Sequence, residues 1–139
     1  TVITNKLPIK LFLINNAGYH SIRQTQNNLF REHCKVGIGP ESHDLSFPDF
    51  RKLSEAFGYM YISAHSNEEM KKAVDKALEY DGPVFCEIFV STDQNFEPKS
   101  ATKRLEDGTL VSPPLEDLAP FLDREEFLSN MIIEPVNEG

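Results

Sequence analysis

Residues 9–26 read IKLFLINNAGYHSIRQTQ. An apolar run, Leu11 to Ile14, leads directly into Asn15 and Asn16, and Gly18 follows before a polar segment begins. A short continuous apolar run is the pattern of a strand covered on both faces, as in parallel sheets. Ligands of open α/β sheets gather at the carboxyl ends of such strands. An amide pair with Gly two positions on offers a side-chain oxygen and an unshielded backbone carbonyl at that place. Hard oxygen donors suit Mg²⁺ and do not suit zinc. The same residues also make an ordinary strand-ending turn, because Asn and Gly tolerate its backbone angles. Spacing alone leaves both readings standing.

Downstream, the pattern alternates between strand and helix. Phe50, Leu53 and Phe57 form an apolar stripe after Ser46, which is expected to open the helix with Pro48 in its first turn and Gly58 at its end. Tyr59 to Ile62 reads as a strand. Ser66 with Glu69 is a capping box, and Met70, Ala73, Val74, Ala77 and Leu78 follow with helical periodicity. Asp81-Gly82-Pro83 ends that helix, and Val84 to Val90 is a second buried strand. Strand, helix, strand, helix, strand predicts a parallel sheet with crossovers. Residues 19–31 read as a helix or helical loop of high polarity. Gly37-Ile38-Gly39-Pro40 reads as a flexible connector rather than a phosphate loop, since no strand and helix frame it. Beyond Ser91 the chain is polar and proline-rich. Asp107-Gly108 suits a hairpin, and short helices are expected near Glu116 and Arg124.

Composition narrows the function classes. The 139 residues, 40% hydrophobic and 26% charged, are ordinary for a soluble globular domain. No apolar run approaches the roughly 18 residues of a membrane span. The net charge is -8, and residues 113–139 carry seven acids against one base, Arg124. An acidic chain is repelled by phosphate backbones and anionic lipid surfaces, so neither nucleic acid nor membrane is an expected partner. The tail itself reads as a solvated surface segment. Cys34 and Cys86 have no CxxC partner and read as reduced, buried thiols of a cytoplasmic protein. His33, His43 and His65 show no metal-ligand spacing.

LPIKLFLINNAGY, SIRQTQ, GPES, SFPDF, AFGY, GPVFCEIFV and the tail PPLEDLAPFLDREEF together resemble the C-terminal cofactor domain of thiamine-diphosphate enzymes, in the acetolactate synthase-like group. The resemblance implies a partial three-layer α/β/α fold over residues 1–92, with a parallel sheet, and an irregular acidic C-terminal arm of the same domain over residues 93–139. It implies thiamine diphosphate and Mg²⁺ as cofactors. Asn16 matches the position that gives the metal a side-chain oxygen, Gly18 the position that gives it a main-chain carbonyl, and Tyr19 lies beside them near the cofactor. Tyr19 reads equally as a core ring. The Asn-Asn pair looks like the closing half of a motif that opens with Gly-Asp-Gly, and no Gly-Asp-Gly occurs in these 139 residues. The chain is therefore expected to be a fragment, inactive alone, with no catalytic residue of its own, of an enzyme that decarboxylates a 2-keto acid and ligates the product to an acceptor. The alternatives are a decarboxylase without carboligation and a non-catalytic binding or assembly module. A homo-oligomer is expected, because the family's cofactor sits between subunits. Three further side chains are weighed. His20 reads as structural, Arg23 as a surface residue or a reader of a substrate carboxylate, and Glu87 as a buried support in need of a partner.

Overall fold

The computed structural model describes residues 1–30 and 35–135, so the readings of His33, Cys34 and Glu138 lie outside the described residues. The chain forms two compact units, Thr1–Gln94 and Asn95–Gly139. The first runs β1 (Lys10–Asn15), α1 (His20–Phe30), a 3₁₀ turn (Pro40–Ser42), α2 (Phe50–Ala56), β2 (Met60–Ala64), α3 (Asn67–Glu79) and β3 (Val84–Phe89). The three strands make one parallel sheet in the order β1-β3-β2, with Lys10 and Met60 both in register with Val84. The last of these three strands in sequence is thus the central one, and it is paired on both sides.

Side chains of β3 alternate between two layers. Val84, Cys86 and Ile88 join Ile62 and Ala64 of β2 and Ala73 and Ala77 of α3 in the buried core. Two alanines four residues apart give α3 a flat face that lies close on the sheet. On the opposite face, Phe50 of α2 stacks on Phe85, with ring centroids 6.1 Å apart. Helices on both faces of a parallel sheet make the expected α/β/α layering. Ser66 caps α3 by accepting from the Glu69 backbone N–H at 3.2 Å. Glu69 reaches back to the N–H of His65 rather than of Ser66.

Three local expectations are corrected. The cap of α2 is Asp49, which accepts from Lys52 N–H at 3.0 Å, and not Ser46. Pro48 explains this, because it bars its predecessor Phe47 from the helical region, so no helix can run from Ser46 through it. The run Leu11 to Ile14 is not covered on both faces. β1 is an outer strand, and Leu11, Phe12 and Ile14 are 41%, 40% and 54% exposed. The stripe on α2 is likewise open at Leu53 and Phe57, while Ser54 is buried, its hydroxyl donating to Arg51 O.

In the second unit, β4 (Lys103–Arg104) and β5 (Leu110–Val111) pair as the expected hairpin, with Gly108 at φ 88°. α4 (Arg124–Asn130) forms as expected, capped by Asp123. The segment near Glu116 is a turn instead of a helix, because Ala119 is held in antiparallel pairing with Lys99 and Pro120 follows at once. The tail is not wholly solvated either. Asp117 is 2% exposed, and both of its oxygens accept from Arg124, at 2.7 and 2.8 Å. That bidentate pair holds the Asp117 carboxyl below the ordinary carboxylate range.

Candidate functional site

A cavity of about 530 Å³ opens where β1 and β3 end, and residues Leu13 to Gly18 form one wall. Phe47 to Arg51, from the start of α2, form another, and Tyr61, Glu87 and Phe89 floor it. The location is the one where parallel α/β sheets take ligands.

Register explains the floor. Tyr61 of β2 and Glu87 of β3 project from the same face of the sheet, as does Asn15 of β1. Glu87 is 4% exposed, and its carboxylate accepts from the Asn15 amide at 2.5 Å and from the Tyr61 hydroxyl at 2.6 Å. One buried acid therefore ties the three strands together, which meets the need for a partner read from the sequence. Burial, and then the Glu87 carboxylate, push the Tyr61 phenol up to about 12.

The turn after β1 has a complete oxygen inventory. Asn15 O accepts from Val90 N–H, and Asn15 Oδ1 from Ala17 N–H. Asn16 O and Ala17 O accept from the two terminal nitrogens of Arg23, at 3.1 and 3.2 Å. Among the described residues, nothing donates to the two that remain, Asn16 Oδ1 and Gly18 O. The two asparagines thus have different surroundings. Both side-chain groups of Asn15 are used by the protein, and among the described residues those of Asn16 have no partner.

Arg23 is 4% exposed, which corrects the reading of a surface arginine. Its Nε donates to Glu41 at 3.0 Å, and one terminal nitrogen also donates to His20 Nδ1 at 3.0 Å. Arginine has no acceptor, so Nδ1 must be the unprotonated nitrogen of that ring. Lys35 also donates to Glu41, at 2.7 Å, and that bond, with the charges of Lys35 and Arg23, holds the Glu41 carboxyl below its usual range.

The segment 37–40 is packed against the turn rather than a flexible connector. Tyr19 N–H donates to Ile38 O at 2.6 Å, and Ile38 is fully buried. A Cβ on Gly18 would collide with Ile38 O, and one on Gly39 would come within 2.7 Å of Ala17 O. The two backbones approach so closely that only glycine fits at either place. Tyr19 is half exposed and meets Phe47 edge-on at 5.8 Å. It is therefore no core ring, and its partner Phe47 lines the cavity.

The site residues expected from the sequence, Asn16, Gly18 and Tyr19, lie together in the one turn, with Arg23, expected at the surface, bonded to it and Glu87, expected as a support, bonded to Asn15 beside it. It passed over Tyr61, Phe47 and Asp49. Tyr61 was legible in principle, because period-2 alternation along β2 places it on the face opposite Ile62. Among the described residues, no cluster of three His, Cys, Asp or Glu side chains could hold a metal, so a cation here would rest on amide and carbonyl oxygens. No described helix is long and apolar enough to cross a membrane.

Comparison with known proteins agrees with this geometry. Residues 1–88 match the family described as thiamine pyrophosphate enzyme, C-terminal TPP binding domain. The acetolactate synthase large subunit of Pyropia yezoensis is 32% identical over 104 residues, which are 73% of this chain and 16% of that protein. An acetolactate synthase of Mycobacterium bovis is 29% identical over 103 residues, 73% of this chain and 16% of its own length. Chloroplastic acetolactate synthase 1 of Zea mays is 27% identical over 95 residues, 66% of this chain and 15% of its own. The chain thus spans about a sixth of the length of these relatives. With a family match over well more than half of its residues, this chain belongs to the thiamine pyrophosphate enzymes, as part of their C-terminal TPP-binding domain.

Proposed function

We propose that this chain supplies the metal- and diphosphate-holding strand end of an acetolactate synthase-like enzyme. That enzyme would decarboxylate a 2-keto acid and join the product to an acceptor. One observation carries the reading: among the described residues, Asn16 Oδ1 and Gly18 O are the two oxygens of the Asn15–Gly18 turn left without a donor, and Asn16 and Gly18 both line the cavity. They are hard, neutral oxygens, the type Mg²⁺ takes while keeping waters and phosphate oxygens in its other positions. The donor set therefore fits the group. When bound, thiamine diphosphate supplies the electron sink for breaking the bond to a keto carbon, and the protein supplies orientation. Asn16 and Gly18 would hold the cation. Asn15, pinned by Glu87, would keep the turn at its height above the sheet, and Phe47, Phe50 and Phe89 would keep water from the floor.

The test uses the protein that carries this chain, titrated calorimetrically with thiamine diphosphate at fixed Mg²⁺. Asn16→Ala is expected to lower metal-dependent affinity by about 10- to 100-fold, the scale on which supports of metal sites act. Asn15→Ala is expected to be milder, because its amide meets Glu87 and not the cation. Equal losses, or a larger loss at Asn15, would assign the ligand wrongly.

A further inference from the structure

Arg23 does not itself line the cavity, yet its guanidinium is bonded to two residues of the cavity wall. Its guanidinium donates to Asn16 O and Ala17 O from two different nitrogens, so both carbonyls are drawn toward α1. Nε is anchored on Glu41, and the whole group is 4% exposed. A buried cation with every face engaged cannot shift without leaving a charge unpaired. Ala17 is held at φ 55°, a left-handed angle that a non-glycine residue adopts at a cost. The Arg23 fork on its carbonyl offsets that cost.

We propose that Arg23 is a positioning residue that selects the metal ligands. By occupying the two middle carbonyls of the turn, it leaves Asn16 Oδ1 and Gly18 O as the pair that faces a divalent cation. The inference rests on the metal-holding reading of this turn. It differs from both roles that the sequence suggests for Arg23, a solvated surface charge or a clamp on a substrate carboxylate. Lysine cannot replace it, since one ammonium presents its donors from a single point and cannot span two carbonyls while pairing with Glu41.

The experiment compares wild type, Arg23→Lys and Glu41→Gln in the protein that carries this chain. It measures thiamine diphosphate affinity at fixed Mg²⁺ by calorimetry, thermal unfolding of the apo-protein, and KM for the keto acid at saturating cofactor. Arg23→Lys is expected to lose about 10- to 100-fold in metal-dependent cofactor affinity, with KM for the keto acid unchanged. Glu41→Gln keeps the fork but loosens its aim, and a smaller loss in the same direction is expected. It carries the test if Arg23→Lys does not fold. Wild-type affinity in a folded Arg23→Lys protein, or in Glu41→Gln when the lysine variant does not fold, overturns the inference. So does a raised keto-acid KM at unchanged cofactor affinity, which would return Arg23 to the substrate. If the wild-type protein itself binds no thiamine diphosphate, the reading of the site falls, and this inference with it.

Discussion

Asn15 and Asn16 are chemically identical, and their different fates come from strand geometry. Successive side chains point to opposite sides, so only one of a pair can meet the buried Glu87. Asn15 stands on the Glu87 face and its amide is taken up there, while Asn16 falls in the turn beyond the strand end. The sequence made the pair visible, but not Glu87 as the reason for the difference, because Glu87 lies 72 residues away. Gly39 was illegible for the same reason. Its need for a bare Cα comes from Ala17 O, a long-range neighbour, and not from its own turn. Gly39→Ala is therefore expected to act at a distance, pushing Ala17 O off the Arg23 fork. The added methyl should cost about 1–3 kcal/mol of stability, typical of overpacking. It should also weaken Mg²⁺-dependent cofactor binding, although Gly39 is no ligand. Denaturant unfolding and calorimetric titration of the variant check both effects, and unchanged cofactor affinity would show that the two backbones are not coupled.

Elements were legible where local rules settle them. The caps and periodicity of α3 specify it without help, and the hairpin at Asp107-Gly108 is set by its turn residues. What the sequence did not reveal was strand order. Of the three strands of its sheet β3 is last in sequence and central in position, and only that order brings Tyr61 and Asn15 to flank Glu87 from opposite sides. This arrangement makes a measurable link between alkaline pH and stability. The Tyr61 phenol is raised from 10.0 to about 12 in the folded chain, so the unfolded chain loses its proton first as pH rises. The stabilisation is present in full below about pH 10 and is lost as pH climbs through about 12. Wild type is expected to lose denaturant resistance over that window more steeply than Tyr61→Phe. Spectrophotometric titration should show the step near 12 vanish in the variant. A step that persists in Tyr61→Phe would mean that another tyrosine carries it.

At the scale of the whole molecule, apolar surface and net charge oppose each other. β1 is an outer strand of a parallel sheet, so one row of its backbone groups lacks a strand partner among the described residues, and such edges recruit further strands. Phe12 and Ile14 lie on one face of that strand at 40% and 54% exposure, which adds apolar surface beside the open edge. The net charge of -8 acts the other way, since like-charged chains repel. Repulsion between exposed charges is screened over about 8 Å at physiological salt, whereas burial of apolar side chains is not weakened by salt. Contact through the strand edge should therefore prevail once salt is present. The 139-residue chain on its own is expected to self-associate in sedimentation experiments, with a mean mass that rises with protein concentration and rises further with added salt. Ile14→Lys places a charge on the exposed edge, the device by which natural sheets blunt such strands, and should return the chain toward the monomer. The substitution lies at a position 54% open to solvent, so its effect on the fold itself should be within about 0.5 kcal/mol. A strictly monomeric wild-type chain at every concentration and salt level would show that the open face of β1 does not drive association. Association that Ile14→Lys leaves untouched would move the contact elsewhere on the surface.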